Sequence, residues 1–464
     1  MKFSLGKPKP LSDKLMTSVI SNRRRHQLFY VFLLFCALFW HKMSAQSALA
    51  VLCGPALGGI FMLTSLALIF LAGLALASIC QRLGLPRIIG MLVTGVLAGP
   101  YVLDLLDGSI LAVSADLRQM ALVIILIKAG LSLNIRDLKK VGRPAVLMAF
   151  LPALFEIVAF VLFAPPVLGI DHIEAAVMGA VLGAVSPAVV VPRMVQLMDE
   201  RYGTEKGVPQ MILAGASLDD VFVIVLFGTF VGMAQGSGAS IADFANIPIS
   251  IVLGILFGAA VGFALAWFFE VSYAHRHTIR NSVKVIIVLG ISFLLLAVED
   301  WLEGYIPVSG LLAIMSMSLV LAMRSAPRVT GRLQEKFGKL WLAAEVILFV
   351  LVGAAVDIRY TLEAGAGAVL MIAVGLLFRC AGVWLCMLGT ALNRKERLFC
   401  VIAYLPKATV QAAIGGIPLA LGLPCGNIVL SVAVLSILIT APLGAIGMDL
   451  TYRKLLKREE DTFS

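Results

Sequence analysis

Long apolar segments alternate with short polar loops along the whole chain of 464 residues. Most segments are about 20 residues long, the length that a helix needs to cross the hydrocarbon core of a bilayer. A membrane-spanning barrel would instead show short segments of alternating polarity. The pattern predicts an all-α polytopic membrane protein with about 14 transmembrane helices, at residues 27–43, 57–80, 86–103, 112–134, 142–164, 173–197, 209–233, 247–270, 281–299, 307–324, 339–357, 366–391, 397–421 and 426–449.

The first of these segments has a second interpretation. Residues Arg23 to Trp40 combine basic residues with an apolar run, as a secretory signal peptide does. No clear small-residue cleavage site follows Trp40, so we interpret the segment as a retained first span.

Charge gives the orientation of the chain. The net charge is +10, and the basic residues cluster in alternate loops, with Lys42, Arg118 and Arg359 as exceptions. Cytoplasmic loops carry such an excess, so both termini are expected in the cytoplasm of a multi-pass protein of the cell membrane, whether inner or plasma membrane. This distribution explains the charge without a nucleic-acid partner. The chain is 60% hydrophobic and 14% charged and has no Walker, HExxH or nucleophile-elbow motif, which argues against an enzyme and predicts no cofactor.

A short motif occurs twice. The segments LIKAGLSLNIR (126–136) and FVLVGAAVDIR (349–359) align Gly130 with Gly353 at an offset of 223. Seven predicted spans separate the two copies, and because this number is odd, the copies face opposite ways. Inverted-topology repeats are typical of secondary transporters, whose sites lie at the midplane where the repeats meet.

The same offset relates two charged residues in the middle of apolar segments. Glu156 and Arg379 are 223 positions apart. Residues related by a pseudo-two-fold axis contact each other when they lie on it, and one ion at a helix centre costs about 2.5–3.5 kcal/mol on insertion scales. We therefore predict a Glu156–Arg379 ion pair with a structural or modulatory role. The alternative is that each side chain meets water separately.

Prolines interrupt one segment in each copy. AVSPAVVVP contains Pro187 and Pro192, and LPKATVQAAIGG contains Pro406. Proline removes a backbone donor and disfavours helix at the preceding residue. Ser186 and Thr409 are again 223 apart, so we predict two broken helices that cross, with kinks in packed helices as the alternative.

Three further ionisable residues lie halfway along apolar segments, Asp219 and Asp220 in one and Lys407 in another. Such groups usually mark ion or proton pathways. Neighbouring helical residues diverge by about 100°, so one acid can face Lys407 while the other faces a cavity. We predict an oxygen site in which protons exchange for a small cation, with Ser186 and Thr409 as possible ligands. The alternative is a structural ion pair or a helix cap.

The motifs ASLDDV, VSPAVVVP and LPKATVQAAIG resemble those of the sodium/proton antiporters of the monovalent cation/proton antiporter superfamily, in the two-aspartate NHA branch. The resemblance implies that Asp220 binds the ion and takes up protons, that Asp219 pairs with Lys407, and that Glu156 pairs with Arg379. It also implies a homodimer with a dimerisation domain and a mobile core domain that moves like an elevator.

These features predict an antiporter that exchanges Na⁺ or Li⁺ for H⁺ across the bilayer. The Asp-Asp pair with a lysine suggests more than one proton per cation. A K⁺/H⁺ exchanger, an organic-anion symporter on a similar scaffold and an uncoupled channel or sensor remain as alternatives. The expected organisation is a cytoplasmic segment at 1–26, a transporter domain at 27–450 with interleaved dimerisation and core helices, and a cytoplasmic tail at 451–464.

Overall fold

The computed structural model describes residues 58–132, 142–235, 241–274, 279–302, 306 and 308–459. Within these ranges the chain is helical, apart from loops and one isolated antiparallel bridge between Tyr202 and Arg458. Nine helices of this part are long and apolar enough to cross a membrane, and three shorter apolar helices accompany them. The predicted all-α membrane class is confirmed. The number of 14 spans stays a prediction, because segments 1–26 and 27–43 lie outside the described residues.

Eighteen helices are numbered here in chain order. The first half contains α1 Gly58–Arg82, α2 Arg87–Ala98, α3 Gly108–Ala112, α4 Ser114–Ser132, α5 Arg143–Met148, α6 Leu151–Leu168, α7 His172–Leu182, α8 Pro187–Asp199 and α9 Val208–Gln235. Helix α10, Ile241–Ala274, joins the halves. The second half contains α11 Asn281–Leu302, α12 Gly310–Arg324, α13 Pro327–Ala354, α14 Ile358–Cys386, α15 Arg394–Ala403, α16 Thr409–Ile414, α17 Ile417–Ala420 and α18 Gly426–Leu455.

The order of the helices repeats at the offset found in the sequence. Helix α1 begins at Gly58 and α11 at Asn281, and α2 begins at Arg87 and α12 at Gly310, so each pair of starts is 223 positions apart. The broken pair α7 and α8 corresponds in the same way to α15 and the short helices α16 and α17. The described chain is therefore two copies of one arrangement, joined by α10.

The two glycines of the repeated motif explain why the motif recurs. Gly130 of α4 packs against the Met315 carbonyl of α12, and Gly353 of α13 packs against the Leu92 carbonyl of α2. Leu92 and Met315 are themselves 223 positions apart, so the two contacts are equivalent. A Cβ atom at either glycine would collide with this backbone. The motif therefore marks one close helix contact that is built twice.

The helices pack as two groups. The first group contains α1 to α4 and α10 to α13, and the second contains α5 to α9 and α14 to α18. Between the groups, α9, α16 and α18 of the second pack on α2, α4, α10, α12 and α13 of the first. Each group takes helices from both halves of the chain. The assignment of the groups to dimerisation and core domains stays a prediction.

The last helix extends past the predicted boundary at residue 450 and ends at Leu455. The residues that follow it pack against the loop between α8 and α9. Gly203 N donates to Lys457 O at 2.8 Å, and Glu459 N donates to Arg201 O at 2.9 Å. The part of the predicted tail that the structure describes is thus fastened to the second helix group.

Replacement of Gly353 by alanine tests the close helix contact. The new methyl group would meet the Leu92 carbonyl, Val96 N and Gly95 Cα, all of them backbone atoms that cannot rotate away. We expect Gly353→Ala to lower the thermal midpoint of the purified protein by several degrees, measured by intrinsic fluorescence in detergent.

Gly338 supplies the matched control on the same helix, because a Cβ atom there has no heavy atom within 4 Å. Gly338→Ala should leave the midpoint unchanged or raise it, since alanine favours a helix by roughly 1 kcal/mol over glycine. Equal effects of the two substitutions would contradict the close contact at Gly353.

Candidate ion-binding site

The first broken helix is interrupted between α7 and α8. Helix α7 ends at Leu182, residues 183–186 are not helical, and α8 starts at Pro187. Pro187 occupies the first helical position, where its missing N–H group has no helical acceptor to lose. The interruption lies between buried residues, so its free backbone groups need partners inside the protein.

The second broken helix crosses the first at equivalent residues. Ser186 N donates to Pro406 O at 2.8 Å, and Thr409 N donates to Ser186 Oγ at 3.4 Å. The two hydroxyl oxygens, Ser186 Oγ and Thr409 Oγ1, are also 3.4 Å apart. Contact between residues 223 positions apart places the pseudo-two-fold axis at this crossing point.

Gln411 satisfies part of the interrupted backbone. Its Oε1 accepts from Ala408 N at 2.8 Å, and its Nε2 donates to Ala184 O at 2.9 Å, so it serves both broken helices. The side chain is fully buried. This residue was not predicted from the sequence, although a lone amide beside an interruption in an apolar segment is a usable signal.

Four buried charges form one network at the crossing point. Arg379 Nη1 lies 3.0 Å from Glu156 Oε2, and Arg379 Nη2 lies 2.9 Å from Asp219 Oδ2. Lys407 Nζ lies 2.6 Å from Glu156 Oε1. All four residues are fully shielded from solvent. Two carboxylates and two cations cancel, so the network is neutral when all four groups are ionised.

The pairing of Lys407 differs from the expectation. The resemblance joined Lys407 to Asp219, whereas the structure joins Lys407 to Glu156 and gives Asp219 to Arg379. The planar fork of Arg379 spans both carboxylates, with one terminal nitrogen on each. The Glu156–Arg379 contact is present in the structure, and its structural or modulatory role stays a prediction.

The ends of the broken helices receive charges of the matching sign. Lys407 Nζ and Arg379 Nη1 donate to the carbonyls of Leu182 and Gly183, at the negative C-terminal end of α7. The Val185 N–H, just before the start of α8, donates to Asp219 Oδ2 at 2.7 Å. The same side chains therefore compensate one another and the exposed ends of the helix dipoles.

Asp220 faces away from this network. Its side chain is buried, and its Oδ1 atom has no hydrogen-bond partner among the described residues. It lines a cavity of about 20 Å³ together with Thr409. A cavity of this size holds about one water molecule. The remaining lining is apolar and consists of Leu122, Ile125, Leu126, Ala129, Ile224, Met315, Val410 and Ala413.

The cavity lies on the boundary between the two helix groups. The second group contributes the two polar residues, Asp220 from α9 and Thr409 from α16, whereas the first contributes apolar side chains of α4 and α12. Ser186 does not line the cavity and reaches it only through its contact with Thr409. The structure thus brings Asp220 and Thr409 together at the cavity. The four residues of the charge network do not line the cavity.

Arg118, one of the three exceptions to the loop pattern of basic residues, lies in a helix and not in a loop. It is buried in α4, its Nε donates to Ser114 O at 3.2 Å, and its guanidinium contacts Gly416 between α16 and α17. Arg118 therefore connects the two helix groups, and its charge does not report the orientation of the chain in the membrane. The other exception, Lys42, and the side chain of Arg359 lie outside what the structure describes.

Comparison with known proteins gives the family. Residues 66–451 match the family described as sodium/hydrogen exchanger, transmembrane. The chain belongs to the sodium/hydrogen exchanger family. It is a multi-pass transport protein of the cation/proton exchange class, as its motifs predicted.

Individual relatives agree. The chain is 32% identical to human sodium/hydrogen exchanger 9B2 over 469 aligned residues, which cover 98% of this chain and 82% of the relative. It is 33% identical to human sodium/hydrogen exchanger 9B1, over 75% of this chain and 68% of that one. The structure of the sodium proton antiporter MjNhaP1 from Methanocaldococcus jannaschii at pH 8 superposes with a TM-score of 0.73, at 22% identity, over 86% of this chain and 99% of that one. This last likeness supports the antiporter fold.

The neutral network predicts a specific pattern in a double-mutant cycle. Glu156→Gln leaves one cation without a partner and Lys407→Gln leaves one excess carboxylate, and unpairing a buried charge costs about 3–5 kcal/mol. The double substitution restores neutrality, so its thermal midpoint should lie above that of at least one single variant. Thermal unfolding of the four proteins in one detergent measures the coupling.

The exposed pair Glu335 and Lys339, whose Nζ and Oε1 atoms are 2.6 Å apart, is the control. Exposed pairs on one helix contribute about 0.3–0.5 kcal/mol, so the cycle Glu335→Gln and Lys339→Gln should show almost no coupling. Additive effects at Glu156 and Lys407 would contradict the charge balance of the network.

Proposed function

We propose that this protein exchanges Na⁺ or Li⁺ for H⁺ at Asp220. The observation that carries the proposal is the charge count at the crossing point. Arg379 and Lys407 already balance Glu156 and Asp219, so Asp220 has no cation of its own among the described residues. A carboxylate in that position needs a mobile positive charge, which either a proton or a small cation supplies.

Competition between the two occupants follows from the surroundings of Asp220. Leaving a charge uncompensated inside the bilayer costs several kcal/mol. A proton on the carboxylate removes that charge, and a cation bound to it does the same, but the two do not share the site. Thr409 Oγ1 and the carboxylate provide oxygen ligands of the kind that hard cations prefer. Ser186, through its contact with Thr409, and Asp219, through its charge, complete the proposed site.

The translocating part is the second helix group, in our proposal. It carries Asp220, Thr409 and the neutral network, while the first group presents an apolar wall to the same cavity. Once Asp220 is neutralised, the second group can slide along that wall without exposing a charge to it. This is an elevator-type motion, with the first group as the stationary and dimer-forming part. The proposed location is the cell membrane, with both termini in the cytoplasm.

The network also bears on the number of protons. The sequence suggested more than one proton per cation, because an Asp-Asp pair occurs together with a lysine. With Lys407 held by Glu156 and Asp219 held by Arg379, only Asp220 changes its occupant. We therefore propose that one proton is exchanged for one cation.

The site disfavours one of the alternatives. An organic-anion symporter needs a free cationic group at its site, and both cations at the crossing point are committed to carboxylates. A K⁺/H⁺ exchanger would use the same oxygen ligands, so competition between cations in a transport assay distinguishes it. An uncoupled channel or sensor differs in its transport behaviour, since it shows no obligatory exchange.

Asp220→Asn tests the proposal. The amide keeps the size of the side chain but can neither take up a proton nor carry a negative charge at physiological pH. In proteoliposomes, Na⁺-driven and Li⁺-driven proton movement should fall to the level of empty vesicles, with the thermal midpoint in detergent preserved or raised.

Glu270→Gln provides the control, because it removes an exposed carboxylate of α10 from the first helix group. That variant should exchange at the rate of the unmodified protein. Cation-driven proton movement that persists in Asp220→Asn would contradict the proposal. Equal proton movement driven by Na⁺ and by K⁺ would be consistent with cation/proton exchange but would contradict the proposed preference for Na⁺ or Li⁺.

A further inference from the structure

Arg118 of the first helix group reaches across to the second group at the end of α16. The residue is buried, and a Cβ atom at Gly416, between α16 and α17, would collide with its guanidinium. Its Nε atom donates to Ser114 O at 3.2 Å, and none of the salt bridges in the described part of the chain includes it. This guanidinium is therefore packed against a segment that moves past it in the proposed elevator motion.

The repeat gives this contact an equivalent elsewhere in the chain. At the offset of 223, Arg118 of α4 corresponds to Trp341 of α13, and Gly416 corresponds to Arg193 of α8. The pseudo-two-fold axis passes through the crossing of the broken helices, so a contact and its equivalent lie on opposite sides of that crossing. Each pair joins a helix of the first group to a broken helix of the second, and each contains one arginine.

The structure is asymmetric at these two places. Residues 409–416 are all buried, whereas the equivalent residues 186–193 include half-buried and exposed positions. Helix α16 packs on α4 and α13 of the first group, whereas α8 packs mainly on α9 and α18 of its own group. Among the described residues, Arg193 makes no cation–π contact with Trp341. The boundary between the groups is therefore more closely packed on the α16 side than on the α8 side.

Arg193 and Trp341 are chemically suited to form the equivalent contact. Arg193 Nη2 donates to Asp449 Oδ2 at 2.8 Å and Arg193 Nε lies 2.8 Å from Asp449 Oδ1, so one carboxylate holds the edge of the guanidinium. The Arg193 side chain is nevertheless 35% exposed. A guanidinium that is bound at its edge can stack its face on an indole ring. The Trp341 ring already accepts a cation, since Lys128 Nζ lies 5.9 Å from its centre.

We propose that Arg118 against Gly416 closes the group boundary on the α16 side in this conformation, and that Arg193 stacked on Trp341 closes it on the α8 side in the opposite conformation. The proposal rests on the proposed function, because it requires the second group to move past the first. None of the four residues lines the cavity beside Asp220. They therefore determine which side of the protein has access to the exchange site, and they do not bind the ion.

Hydrogen exchange of the backbone amides in α16 measures the balance between the two conformations and does not require transport. These amides exchange when the segment opens to water, so their rate follows the population of the conformations that uncover it. Gly416→Ala pushes the Arg118 guanidinium away and should speed exchange at Thr409–Ile414. Arg193→Gln removes the contact of the opposite conformation and should slow the same exchange by about 5- to 30-fold, as expected for the loss of a desolvated cation–π contact.

Three further variants separate these effects from local damage. Arg118→Leu removes the obstructing guanidinium, so the addition of Gly416→Ala to it should have little further effect. Asp449→Asn breaks the same ion pair as Arg193→Gln but keeps the guanidinium, so it should slow exchange far less. Trp341→Leu should slow exchange as Arg193→Gln does, and the combination of the two should add little, because both remove one contact.

Unchanged or faster exchange in Arg193→Gln would overturn the proposal. Equal effects of Arg193→Gln and Asp449→Asn would also overturn it, because they would assign the arginine to a local ion pair. Both outcomes leave the proposed exchange at Asp220 intact. If Asp220→Asn still exchanges Na⁺ for H⁺, the proposed function fails, whatever the amide exchange shows.

Discussion

Charge compensation among buried side chains is the constraint on which this structure depends. At the crossing of the two broken helices, Glu156 and Asp219 balance Arg379 and Lys407 within contacts of 2.6–3.0 Å. Carbonyl and N–H groups at the interrupted ends of α7 and α8 add partial charges of the matching sign. Because these four charges balance one another, Asp220 is left without a cation of its own among the described residues, and in the proposed function a proton or a small cation matches its charge in turn.

The internal repeat brings this chemistry together. Glu156 meets Arg379 and Ser186 meets Thr409, each pair at the offset of 223 that also relates Gly130 to Gly353. Residues far apart in sequence touch here because they lie on the axis that relates the copies. The copies have since diverged, so an acid faces a base across the axis, and Asp220 has Leu443 as its counterpart. In the proposed function, this asymmetry leaves one exchange site in a nearly symmetric scaffold.

Much of this arrangement could be predicted from the sequence. The length of the apolar segments predicted the membrane class, and the prolines predicted the position of both helix interruptions. The repeat offset of 223 predicted the contact between Glu156 and Arg379. The pairing of Lys407 with Glu156 and of Arg379 with Asp219 could not be predicted, because several charges lie within reach and the choice depends on rotamers and on the carbonyls at the end of α7. Arg118 was misassigned because charge counting does not distinguish a buried helix residue from a loop.

The most direct test of the central claim is the number of protons released when the cation binds. Purified protein in weakly buffered detergent, near the pH at half-maximal exchange, is titrated with Na⁺ while a pH electrode or dye records the release. If Asp220 is the one uncompensated carboxylate, release saturates at no more than one proton per bound Na⁺ and is absent in Asp220→Asn. Release approaching two protons, or Na⁺ binding without any release, would contradict the account.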